Sequence, residues 1–224
     1  MNSLLVIHPK DESTDFLTSV VDKLRLIKDL TLIEIRTEPT ESSYEDTLRI
    51  IEGVDPKIPL LFLGHGHSRM LYGGMKDKYN NYIPLISISS NGKILHNKSL
   101  MLVCCRSSEF IQELDSEIRF GIGFGDIPAD MKDVNAAREM DSRAYSGIER
   151  KTVDAYREAI TSIIINSIHY VVSNKLELKQ LYSEFALRIN KAISSSLLDD
   201  KEDKYLLSKL LYDLKDEMNM VINN

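Results

Sequence analysis

Leu60-Leu61-Phe62-Leu63-Gly64-His65-Gly66-His67 is an apolar run that ends in a glycine-histidine turn. Four consecutive large apolar side chains, without polar alternation, are what a strand buried on both faces of a parallel sheet requires. Working outward, Leu100-Met101-Leu102-Val103 is a second such run and leads into Cys104-Cys105-Arg106-Ser107. Upstream, Leu4–Ile7 and Thr31–Ile35 read as strands, each followed by an amphipathic stretch: Phe16, Leu17, Val20, Val21 and Leu24 after the first, with Ser13 as cap, and Tyr44, Leu48 and Ile51 after the second. Downstream, a helix starting at Ser107 or Ser108 carries Phe110, Ile111 and Leu114, and Phe120–Phe124 is the last candidate strand. Ile83–Ile88 and Lys93–Leu95 flank Asn91-Gly92, which predicts a hairpin with a type I′ turn. Strand and helix in regular succession argue for a mainly parallel α/β sheet with right-handed crossovers and a small hairpin insertion. Ligands of such sheets bind beyond the carboxyl ends of the strands.

The punctuation of the chain is uneven, since every proline lies at or before Pro128 and every glycine at or before Gly147. This predicts an α/β core over residues 1–147 and a helical extension over residues 148–224 that packs on the core or on a partner. The first helix of the extension is expected to start at a capping box of Ser146 and Glu149, with Val153, Tyr156, Ile160, Ile163, Ile164 and Ser167 on one stripe. The second carries Leu178, Leu181, Phe185 and Ile189. The third opens with Asp199, Asp200, Glu202 and Asp203, and carries Leu207, Leu210, Leu211, Leu214, Met218 and Val221.

Composition excludes several classes. The 224 residues contain 28 Lys and Arg against 34 Asp and Glu, a formal net charge of −6, with no basic cluster, which argues against a nucleic-acid partner held by phosphate contacts. The two cysteines are adjacent and have no third to pair with, so no disulfide framework exists. Residues 1–9 lack the basic segment and the long apolar run of a signal peptide, and the expected location is the cytoplasm. Ile160–Val172 is interrupted by Thr161, Ser162, Asn166, Ser167 and His169 and falls short of the ~20 apolar residues of a membrane span. It reads as a core helix, and no membrane partner is expected.

Chemistry is expected after the strands that end at Leu63 and Val103. If these are neighbours, about 4.8 Å apart, their loops bring the His65 imidazole and a thiol together, the minimum equipment of a cysteine nucleophile. Glycines on both sides of His65 permit a sharp turn and close approach, and the Gly66 N–H is a candidate oxyanion donor. Cys105 falls at a predicted helix N-terminus, where the dipole and an imidazolium would depress its pKa. Cys104, one residue earlier on the strand, points the other way and is read as packing.

With these residues in place, the chain resembles the caspase-like cysteine peptidases, in particular the CHAT group, in which a strand ends in Leu-Gly-His-Gly and the next ends in a cysteine followed at two residues by serine. The resemblance spans Leu4 to Asp130 and rests on two short motifs. It aligns His65 with the general base, Gly66 with the oxyanion-hole glycine, Cys105 with the nucleophile and Ser107 with the serine. It implies a three-layer caspase-like fold and a cysteine endopeptidase: His65 takes the Cys105 proton, the thiolate attacks a peptide carbonyl, and the Gly66 and Cys105 N–H groups hold the oxyanion. No cofactor is required; a peptide or protein is the substrate, and a latent form would need a protein activator. Relatives that cut after basic residues line their first specificity pocket with acidic groups, which makes Asp126 a candidate substrate-binding residue. Its alternative is a turn residue ahead of Pro128.

Three other readings compete. His65-x-His67 has the form of a metal site with Asp126 as third ligand, but Ser68-Arg69 follow instead of further ligands. Gly121-x-Gly123-x-Gly125 lacks the spacing of a phosphate loop and is better explained by close packing. The third is a caspase-like scaffold without catalysis, acting through protein contacts or a homo-oligomer formed by the C-terminal helices.

Overall fold

Each of the apolar runs divides its side chains between two cores. In the computed structural model, which describes residues 1–79, 81–199 and 203–223, Leu61 and Leu63 of β3 (Leu60–Leu63) join one buried cluster, and Leu60 and Phe62 join the other. The same division applies to β1 (Ser3–Ile7) and β7 (Ser99–Val103). Period-two alternation of strand side chains, with apolar cover on both faces, is why these runs show no polar alternation in sequence.

The main sheet has six strands in the order β2-β1-β3-β7-β8-β9, where β2 is Thr31–Ile35, β8 is Phe120–Gly123 and β9 is Asn219–Ile222. The first five are parallel, and β9 runs antiparallel to β8. On one face lie α1 (Thr18–Leu24), α5 (Arg150–Ser173), α6 (Gln180–Leu198) and α7 (Lys204–Asp216). The other face is covered by α2 (Glu41–Gly53), α3 (Ser107–Glu113) and a small antiparallel sheet of β4 (His65–His67), β5 (Met70–Lys76) and β6 (Tyr82–Ser87). The result is a mixed α/β fold with a mostly parallel main sheet, a smaller antiparallel sheet and C-terminal helices. Among the described residues, no helix is long and apolar enough to cross a membrane.

Several local expectations give way to tertiary contacts. The hairpin pairs β6 with β5, while Gly92–Leu95 forms a 3-10 turn. The Asn91 side chain accepts from the Ser87 N–H at 2.7 Å and donates to the Leu85 carbonyl at 3.0 Å, closing a turn that leaves no second strand. His65-Gly66-His67 is a strand rather than a turn, because β5 supplies the partner that its own sequence cannot reveal. Asp11, not Ser13, caps the helical segment after β1, which begins as a 3-10 stretch at Glu12–Leu17. A helix absent from the sequence reading, α4 (Met131–Met140), starts at an Asp130/Asp133 capping box. Helix α5 starts after Glu149, and no side chain caps it, so the Ser146/Glu149 box does not form.

The last third is not wholly helical. After α7 the chain extends as β9 and covers the β8 edge, so Val221 is buried by strand pairing and not on a helical stripe. The stripe of α5 forms, with Val153, Tyr156, Ile160, Ile163, Ile164 and Ser167 buried, and that of α6 forms through Leu181, Phe185 and Ile189, whereas Leu178 lies ahead of α6 and is half-buried. Of the acidic residues expected to open the third helix, Asp203 stands at its cap, Asp199 instead ends α6 as its C-cap, and Asp200 and Glu202 lie outside the described residues.

Candidate active site

Parallel pairing of β3 with β7, in the register Leu63 to Val103, puts the two chemical motifs at one edge of the sheet. Immediately beyond that edge, His65 and Cys105 line a single cavity of about 20 Å3, together with Thr14, Phe16, Leu17, Gly64, Cys104, Ile127 and Ala129. That is space for about one water molecule. Gly66 lies against the cysteine pair: a Cβ at this position would stand 2.5 Å from Cys104 Sγ and 3.0 Å from the Cys105 carbonyl oxygen. Cys104 is buried in the core on one side of the sheet, and Cys105 packs against the core on the other.

The chain turns out of β7 through Arg106, which adopts a left-handed conformation with φ 54°. Its N–H donates to the Gly125 carbonyl at 2.9 Å, and its guanidinium pairs with Glu109 and donates to His67 Nε2 at 3.0 Å. Ser107 fixes the same turn from inside. Its buried Oγ accepts from the Phe124 N–H at 2.9 Å and lies 2.7 Å and 2.8 Å from the carbonyls of Leu102 and Cys104.

The thiol of Cys105 is not activated in this conformation. Its Sγ faces the Ile127 backbone, with the N–H and the carbonyl oxygen each 3.3 Å away. Burial, with added repulsion from Asp133 and Asp126, pushes the thiol up to about 12. The expected depression is thus reversed. Helix α3 starts two residues later, and desolvation of a thiolate outweighs the dipole of so short a helix. Cys104, fully enclosed, is also pushed up, mainly by burial.

Three residues that the sequence does not mark for the site, Asp11, Ser13 and Tyr82, contact His65. Ser13 Oγ lies 2.6 Å from His65 Nε2 and 2.5 Å from Asp11 Oδ1. Asp11 Oδ1 is itself 3.3 Å from His65 Nε2. The Tyr82 hydroxyl donates to Asp11 Oδ2 at 2.9 Å, and its ring packs on the imidazole with centroids 4.9 Å apart. The contact with His65, and then those with Ser13 and Tyr82, hold the Asp11 carboxyl well below the usual carboxylate range. Asp11 and Ser13 follow the carboxyl end of β1, where the strand-end rule points. Tyr82 comes from the small sheet and has no signal of its own.

No protein-family model and no curated protein matches the chain.

Asp126 occupies a different place. It is exposed, its N–H donates to Glu217 Oε2 at 3.0 Å, and it lines a separate cavity with Arg143, Tyr145, Lys209 and Asp213. The pair His65/His67 does not converge on a common ion position with Asp126: His67 Nε2 takes the Arg106 donor, and His67 Nδ1 lies 3.1 Å from Ser68 Oγ. Among the described residues, no group of three or more His, Cys, Asp or Glu is arranged to hold a metal.

Proposed function

We propose that this chain is a thiol hydrolase of caspase-like architecture, with Cys105 as nucleophile and His65 as general base, captured in a latent conformation. The observation that supports the reading is the shared cavity: His65 and Cys105, of the residue types that such catalysis needs, both line it beyond the carboxyl ends of adjacent core strands. In the reaction, His65 takes the Cys105 proton, the thiolate attacks a peptide carbonyl, and the N–H groups of Gly66 and Cys105 stabilise the oxyanion. Latency follows from the covered sulfur and from a cavity too small for a peptide. Turnover requires the segment around Ile127 to move, the task of an activating protein or of the substrate itself.

Intact-mass labelling with limiting iodoacetamide tests the reading. The expected result is single labelling that is lost in Cys105→Ala, retained in Cys104→Ser and slowed about tenfold in His65→Ala. Hydrolysis of a peptide library that is lost in Cys105→Ala completes the assignment. Labelling indifferent to His65 overturns it.

A second reading, a scaffold without catalysis, draws on the protonated, covered thiol and on exposed apolar side chains along α6 and α7, among them Leu198, Tyr205 and Tyr212. Retention of every cellular activity by Cys105→Ala would favour it.

A further inference from the structure

We propose that Asp11, bridged by Ser13 and held by Tyr82, is a positioning residue for His65, which it fixes in the tautomer with Nδ1 as the proton acceptor and whose cation it compensates. The inference rests on the thiol reading above and extends it to a group outside the His65/Cys105 pair.

The argument is an accounting of protons. Ser13 Oγ has one proton and two close neighbours, Asp11 Oδ1 at 2.5 Å and His65 Nε2 at 2.6 Å. An ionised carboxylate only accepts. Asp11 is arranged to stay ionised, since it also accepts the Ser13 N–H at 3.0 Å and the Tyr82 hydroxyl at 2.9 Å. The Ser13 proton therefore belongs to Asp11, and Ser13 Oγ must accept from an N–H on His65 Nε2. A neutral imidazole carries one N–H, so the lone pair sits on Nδ1, which makes no hydrogen bond among the described residues. The same accounting removes Ser13 as a nucleophile for His65, because its proton is directed away from the ring.

With the ring so oriented, the proton step is balanced. The Cys105 S–H bond breaks and leaves its electron pair on sulfur, an N–H bond forms at His65 Nδ1, and Nε2–H stays on Ser13 and Asp11. Asp11 does not change protonation; its charge offsets the imidazolium. Charged groups near this cluster include Asp133 of α4 and Lys76 of β5, and Glu12, Asp130, Lys132, Arg150 and Arg157, which line a surface cavity with Ser13. Asp133 Oδ2 is taken by the N–H groups of Ala129 and Asp130, and Lys76 Nζ sits 4.5 Å from the centre of the Tyr82 ring.

The test is an NMR assignment of the His65 tautomer in isotope-labelled protein, run beside Cys105 alkylation, in wild type, Asp11→Asn, Asp11→Glu, Ser13→Ala, Asp133→Asn and His65→Ala. The expected wild-type form is the Nε2–H tautomer. Asp11→Asn, which frees the Ser13 hydroxyl to donate to Nε2, should populate the Nδ1–H tautomer and slow alkylation near neutrality by about tenfold. Ser13→Ala should change both in the same direction by less, Asp11→Glu should restore part of the loss, and Asp133→Asn should do little. An Nδ1–H tautomer in the wild type, or an unchanged tautomer ratio in both Asp11→Asn and Ser13→Ala, overturns the inference. Alkylation that depends on His65 but not on Asp11 overturns the positioning role alone. Alkylation indifferent to both overturns the thiol reading together with that role.

Discussion

Gly66 shows how little room the site leaves. Its α-hydrogen faces the Cys104 thiol, which is enclosed in the core and cannot swing aside, and the Cys105 carbonyl, which is backbone. Gly66→Ala should therefore destabilise the fold by about 1–3 kcal/mol as an overpacking change, seen as a lower denaturant midpoint with an unaltered slope. Ser107 is the complementary case, since its buried hydroxyl links Phe124 to the end of β7. Ser107→Ala leaves the Phe124 N–H without that partner and should cost about 1–3 kcal/mol, read by the same measurement. In sequence, Ser107 matched the serine of the resemblance; in the structure it contacts backbone groups of three strand-end residues.

At the scale of elements, the segment that leaves β8 acts as a cover for the thiol. Ile127 presents both backbone groups to Cys105 Sγ, and Asp126 at its near end is held by the Glu217 carboxylate from beyond α7. The far end is held by α4 and α5, with the Ala129 N–H on Asp133 and its carbonyl on Arg157. Glu217→Ala removes the near anchor and should raise the Cys105 alkylation rate, as followed by intact mass; an unchanged rate would mean that the α4 and α5 anchors suffice. The same residue links the C-terminal part to the site, because a side chain at Gly125 would collide with the Glu217 carboxylate.

For the whole molecule, the buried ionisable groups set the pH response. Burial raises the folded-state pKa of Cys104, Cys105, Tyr145 and Tyr156, and of Tyr82, where the Asp11 carboxylate adds to it. These groups favour the folded state fully below their unfolded values, about 8.5 for a thiol and 10 for a phenol. As pH climbs past those values, the unfolded chain releases protons that the folded chain retains, so stability declines. The thermal midpoint should fall from neutral pH into the alkaline range, and the fall should be shallower in a variant with both cysteines replaced by alanine. Asp11 acts at the acid end. Its folded value is lowered, so the stability it contributes is present above the ordinary value of about 3.9 and is lost as pH falls towards the folded one.

The buried strands, most of the amphipathic helices and the placing of His65 and Cys105 beyond strand ends were legible in the sequence, because two-sided burial imposes apolar runs and helical burial imposes a period on the residues concerned. Leu60–Leu63 and Leu100–Val103 carry that imprint without reference to any partner. The pairing of β4 with β5, the return of β9 to the sheet and the Asp11–Ser13–Tyr82 support of His65 left no such imprint. Each depends on a partner distant in the chain: Asp11-Glu12-Ser13 is a short polar segment with no preference strong enough to announce one, and the apolar residues of Asn219–Ile222 continue the helical spacing of Leu214 and Met218 and so do not announce a strand. The protonation of the thiol left no imprint for the same reason. A helix start can be read locally, whereas the desolvation that keeps Cys105 protonated comes from Ile127 and the surrounding core, and only the folded chain brings these together.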